Sequence, residues 1–108
     1  MSLPSQPILI IDQSTESFIE ELLNTLVAAG FEPLVAVDEA EALHYLERFD
    51  FSAVLLGEQP HFERHLIDAF GGVVVISFGG RIVPIRPPWI AVQRDTSAIL
   101  RALKDVLG

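Results

Sequence analysis

The sequence contains no cysteine, which excludes a disulfide scaffold, thiol catalysis and cysteine-based zinc sites. Basic residues are scarce. Seven Lys and Arg against fifteen Asp and Glu leave a formal charge of −8, so the chain lacks the electropositive footprint of a nucleic-acid binder. No uninterrupted apolar run is longer than about five residues, far short of the ~20 that a membrane span needs. The opening MSLPSQP has no positive stretch leading into an apolar core; no signal peptide is expected, and the expected compartment is the cytoplasm. The turn after the first apolar run, DQSTES at 12–17, holds no glycine. A P-loop and a dinucleotide fingerprint both need one there.

What is present is a core. The chain has 108 residues, half of them hydrophobic, which argues against disorder and fits one domain over 1–108. Residues 8–12 (ILIID) form an apolar run ending in an acid, the mark of a strand buried on both faces. Phe18, Ile19, Leu22, Leu23, Leu26 and Val27 then repeat as one helical stripe. Ser17 and Glu20 have capping-box spacing, and Gly30 suits the helix end. EPLVAV at 32–37 reads as a second strand. Asp38 with Glu41 opens a second helix with Ala42, Leu43, Leu46 and Phe49 on its inner face. SAVLL at 52–56 is a third strand stopped by Gly57, and Pro60 opens a short helix through Phe70. VVVISF at 73–78 is the most β-prone run. The proline-rich 79–94 must contain one more strand, placed at Trp89–Gln93, and a last helix starts near Asp95 or Thr96. Strands alternating with helices predict a parallel sheet covered on both faces.

Charge is distributed unevenly. Residues 1–50 carry ten acids against one base, Arg48, a net of −9; residues 51–108 carry five acids against six bases, a net of +1. No acid lies between Asp68 and Asp95, a stretch that holds Arg81, Arg86 and Arg94. This asymmetry either steers a partner or is plain surface variation.

In an open parallel α/β sheet, ligands bind beyond the carboxyl ends of the strands. The residues there are Asp12-Gln13, Gly57-Glu58, Ser77-Phe78 and Gln93-Arg94. The strand ending in Asp12, the helix ending in Gly30 and the segment DEAEALHYLERFDFSAVLLG at 38–57 together resemble the receiver domain of bacterial two-component response regulators, CheY-like. The likeness is good over 8–60 and weak from 61 onward. It implies a flavodoxin-like, doubly wound sheet of five parallel strands in the order 2-1-3-4-5, with the fourth helix shortened or lost. VLL before Gly57 is also similar to the atypical receivers at the N-terminus of sigma-54 activators.

The resemblance assigns positions one at a time. Receivers hold Mg²⁺ with a pair of acids; here the pair is Asp12 and Gln13, so one carboxylate is gone. The phospho-acceptor aspartate falls on Gly57, which has no side chain. Glu58 is no substitute, because alternation sends it to the other side of the sheet. The hydroxyl residue ending the fourth strand falls on Ser77; the lysine ending the fifth falls on Gln93 by its spacing to the last helix, or on Arg86 if the proline after it is the anchor, and Gln93 is preferred because Arg86 leaves only nine positions after Ser77 for a helix and a strand. One carboxylate without a nucleophile is a poor Mg²⁺ site, so no metal and no cofactor are expected.

Other chemistry is thinly supported. His61 and His65 stand at i, i+4 with no acidic partner placed by spacing, which favours a solvated helix face over a metal site. His44 lies on the polar side of its helix. No histidine sits at a strand end to serve Asp12 and Ser77 as a base, so the chain is not read as an enzyme. The reading is a pseudo-receiver that signals by protein contact or dimerisation, alone or joined to an output domain. A small-ligand sensor using the emptied pocket is the alternative, and a residual enzyme ranks last. The candidate contact surface is Arg81, Arg86, Trp89 and Arg94, residue types enriched at binding hot spots, although Trp89 equally suits packing.

Overall fold

The four residues Ile8 to Ile11 are fully buried, as a strand covered on both faces requires. In the computed structural model, which describes residues 6–12, 17–57, 73–78 and 89–107, they belong to β1 (Gln6–Ile11). The other strands are β2 (Phe31–Ala36), β3 (Ala53–Leu56), β4 (Val74–Ser77) and β5 (Trp89–Ala91). All pairings are parallel and the order is β2-β1-β3-β4-β5. The expected strand order and flavodoxin-like architecture are therefore observed. The fifth strand stops at Ala91, two residues short of its expected end.

Three helices are described: α1 (Ser17–Ala28), α2 (Glu39–Arg48) and α3 (Thr96–Leu107). The helix expected from Pro60 to Phe70, its His61 and His65, and the segment expected to replace the fourth helix lie outside the described residues.

Strand alternation divides the core in two. Ile8, Ile10, Ala53, Leu55, Ile76 and Phe78 face Ile19, Leu22 and Leu26 of α1 and Ile99 and Leu103 of α3. Leu9, Ile11, Val54, Leu56 and Val75 face Ala42 of α2 on the other side. The sheet has helices on both faces, so Ile8–Ile11 of β1 and the whole of β3 are apolar throughout rather than alternating.

Local signals set the helix ends. Gly30 takes φ +95° after α1, the left-handed conformation that a helix C′ position favours and a Cβ penalises. Ser17 is the first residue of α1 rather than its cap. Asp38 does cap α2: its Oδ1 accepts the Glu41 backbone N–H at 2.8 Å. Glu41 reaches back as in a capping box, but its Oε1 accepts from the N–H of Val37, one residue before the cap, at 3.2 Å. Asp95 caps α3 by accepting from Ala98 N–H at 3.3 Å. The edge strand β2 holds Pro33 opposite Ile8, a residue an edge tolerates because it offers no outward donor.

Asp38→Ala removes an acceptor from the first turn of α2. The expected loss is about 1 kcal/mol of stability, read as a lower urea midpoint with an unchanged m-value.

Candidate functional site

Parallel pairing brings the strand ends to one rim. Asp12 N–H donates to Ala36 O at 3.1 Å, Gly57 N–H to Ile11 O at 2.7 Å, Phe78 N–H to Leu56 O at 2.9 Å and Val92 N–H to Ser77 O at 2.8 Å. These bonds extend the ladder just past β1, β3, β4 and β5. Asp12, Gly57 and Phe78 each lie two residues after Ile10, Leu55 and Ile76, so alternation puts all three on the α1/α3 face.

At this rim the Asp12 side chain is fully buried and paired. Arg94 Nη1 donates to Asp12 Oδ2 at 3.2 Å, and the Arg94 side chain is 27% exposed. The guanidinium carbon stands 4.5 Å from the centroid of the Phe18 ring and 5.5 Å from that of Phe78. Those two rings lie 5.8 Å apart, tilted by 41°. Arg94 is thus held by charge at one point and by aromatic faces at two others, within the reach of cation–π attraction. Phe18 comes from α1, Phe78 from the end of β4, and Arg94 from the turn before α3, so three elements converge on one carboxylate.

Gly57 makes room for that carboxylate. A Cβ at 57 would stand 2.7 Å from Asp12 Cγ and 2.9 Å from Phe78 Cζ, and closer still to Asp12 Oδ2. The space where any longer side chain at 57 would begin is filled by Asp12 and the Phe78 ring.

Of the five receiver-pocket positions read from the sequence, four are among the described residues. Asp12 and Gly57 come together. Ser77 pairs with Leu56, not Gly57, and lies with Val75 on the α2 face; the residue that reaches the rim is Phe78. Gln93 is exposed, and the cation on Asp12 is supplied by its neighbour Arg94. Gln13 lies outside the described residues. Of the expected contact surface, only the Trp89 backbone and Arg94 are among the described residues. Arg81 and Arg86 lie outside the described residues, and Trp89 begins β5. Arg94 turns in to Asp12 because burying a carboxylate is costly unless it is paired. Phe18 from the helical stripe and Phe78 from the strand end both set their rings beside the guanidinium. His44 is exposed beside the Tyr45 ring at 6.0 Å and is remote from the rim in sequence.

Comparison with solved structures identifies this architecture. The chain is similar to a CheY-like receiver domain protein from Methanospirillum hungatei JF-1, at 21% identity and a TM-score of 0.78 over 96% of this chain and 94% of that one. It is similar to a receiver protein from Sinorhizobium medicae WSM419, at 17% identity and a TM-score of 0.79 over 98% and 97%. The fold is that of a response-regulator receiver domain. A third similar chain, at 17% identity and a TM-score of 0.69 over 95% of this chain and 99% of that one, comes from the complex of the histidine kinase ThkA with the response regulator protein TrrA. No protein-family model and no curated protein matches the sequence. Within the receiver fold, the Asp12 rim is the carboxyl end of the sheet, where open α/β folds place their sites. No described helix is long and apolar enough to cross a membrane.

Two stability measurements test the rim. Gly57→Ala forces Asp12 or Phe78 to move and is expected to cost about 1–3 kcal/mol, as overpacking does; an equally stable variant would show that the rim has slack. Arg94→Ala strands a buried carboxylate and is expected to cost about 3 kcal/mol. In a double-mutant cycle with Asp12→Asn, the two losses should fall short of additivity by at least about 1 kcal/mol.

Proposed function

We propose that this chain is a receiver-type signalling domain, one unit over residues 1–108, that acts by protein contact and runs no phosphorylation cycle. The observation that carries the reading is the packing at Gly57. The position that the resemblance assigns to the phospho-acceptor has no side chain, and the Asp12 carboxylate lies against it. Phosphoryl transfer to a receiver needs an exposed carboxylate oxygen as nucleophile. Asp12 is a poor candidate: it is buried, packed on Gly57 and bound to Arg94. An attacking oxygen must be free to align with the phosphorus.

The fold supports a signalling role, and the kinase complex of a similar response regulator supports a protein as the partner. On this reading the domain is not an enzyme. It holds its partner, or a second copy, through its surface, and an attached output domain is compatible with that role. A cytoplasmic site is part of the same proposal.

Incubation with acetyl phosphate and Mg²⁺ tests it. Intact mass should be unchanged, whereas a typical receiver under the same conditions should gain one phosphoryl group. A stable single adduct that maps to an aspartate at a strand end would overturn the reading.

A further inference from the structure

Among the described residues, three large apolar side chains are more than half exposed: Val27, Val37 and Phe49. Single exposed valines are ordinary on a protein surface. Phe49 differs because its ring does not stand alone. Its centroid lies 6.3 Å from that of Tyr45 and 6.2 Å from that of Phe51, and the Tyr45 centroid is 6.0 Å from that of His44. Four rings thus follow one another from α2 into the approach to β3. Tyr45 and Phe51 pack against the core beneath α2, whereas Phe49, 52% exposed, is the ring that this core leaves out. The backbone holds it from both sides. Phe49 leaves α2 in an extended conformation while its N–H donates to Tyr45 O at 2.9 Å, and Ser52 N–H donates to Pro7 O at 2.8 Å. An aromatic side chain offered to solvent from a fixed base loses little freedom on binding, which suits it to be an anchor.

Charge selects the occupant. Segment 38–51 carries five acids against one base, Arg48, and exposed Glu47 and Asp50 stand on either side of Phe49 in the chain. A second copy is a poor fit, because a two-fold contact sets the same acids against each other and each copy carries a formal charge of −8. A cationic segment gains at both features: guanidinium groups pair with the carboxylates and stack on a ring face. We propose that the C-terminal end of α2 is a docking surface for a basic protein segment, in which an apolar side chain packs on Phe49 between arginines that meet Glu47 and Asp50. The inference deepens the reading above, and rests on it only in taking the domain to act by protein contact.

Three synthetic peptides of equal length test this by calorimetry at about physiological ionic strength. One combines Arg with Leu, the second has the same arginines with Ser in place of Leu, and the third combines Glu with Leu. The wild type should bind the Arg–Leu peptide at least about tenfold more tightly than the Arg–Ser peptide and ignore the Glu–Leu peptide. Amide shifts induced by the Arg–Leu peptide should centre on residues 44–51. Phe49→Ser should erase the preference for leucine, and Glu47→Lys with Asp50→Lys should weaken both cationic peptides by about tenfold. These side chains are exposed, so each variant should melt within a few degrees of the wild type. Equal binding of the two arginine peptides by the wild type would overturn the proposal, since it would show attraction by charge alone. So would shifts centred on α1, or a Phe49→Ser that keeps the preference. Should Phe49→Ser fail to fold, the wild-type preference, the shift map and the double lysine variant decide. A dimer in sedimentation that Phe49→Ser dissolves would assign the surface to a second copy and equally overturn it. An acetyl phosphate adduct of the wild type would sink the phosphorylation reading without touching this surface, and failed peptide binding would leave that reading intact.

Discussion

The pairing of Asp12 with Arg94 is the contact on which the rest of the pocket depends. Taking a carboxylate out of water costs several kcal/mol, and only a well-placed partner offsets it. Once Asp12 is buried at the end of β1, its neighbours lose their freedom. Residue 57 must have no Cβ, because the carboxylate stands where one would be. A cation must come from somewhere, and it comes from a residue 82 positions away in sequence. That cation lies between the α1 and β4 elements against rings supplied by Phe18 and Phe78. The sheet register is what lets these requirements be met together, since it sets Gly57 and Phe78 on the same face as Asp12.

On the proposed reading, this internal pairing changes what can regulate the domain. A ligand shifts a conformational equilibrium only by its difference in affinity between two states. A site that recruits a phosphoryl group and a metal has such a difference available. Here both charges at the rim belong to the chain rather than to a bound group. The ion pair favours one arrangement of α1, β4 and the turn before α3, and regulation is left to whatever binds the outer surface.

The fold was legible because the signals for it are local and redundant. ILII, AVLL and VVIS are apolar on both faces, so a two-sided sheet followed directly, and Asp38 and Gly30 marked helix ends by chemistry that acts within four residues. The site was legible only in part. Asp12 and Gly57 stand at strand ends that the apolar runs define. Ser77 was assigned through the resemblance and Gln93 by its spacing to the last helix; a strand's side-chain period of two makes such assignments sensitive to a single position. Phe78 looked like the last residue of a hydrophobic strand, and nothing local showed that its ring would border a charge. Arg94 was legible as a cation but not as a buried partner. It sits in an acid-free stretch, which suggested an outward basic surface, and its acid lies at the other end of the chain.

Turning Arg94 inward also alters the field that the surface presents. It removes one arginine from the basic stretch that ends at residue 94, and it neutralises an acid that was already buried. The exposed acids of the first half keep their charge: Glu20 and Glu21 on α1, Glu32 on β2, Glu47 on α2 and Asp50 after it are all at the surface. Against them the described first half offers a single base, Arg48. The described first half of the chain is therefore electronegative at its surface, and on the proposed reading steering by such charge favours a cationic partner surface over an acidic one. Such steering acts through exposed charges and weakens as salt shortens the screening length to about 8–10 Å. The Asp12–Arg94 pair, whose carboxylate is buried and whose guanidinium is partly so, is screened less. On the proposed reading, burial separates contact-making from pocket-locking: the outer charges would set how fast a partner arrives, and the inner pair the shape it meets.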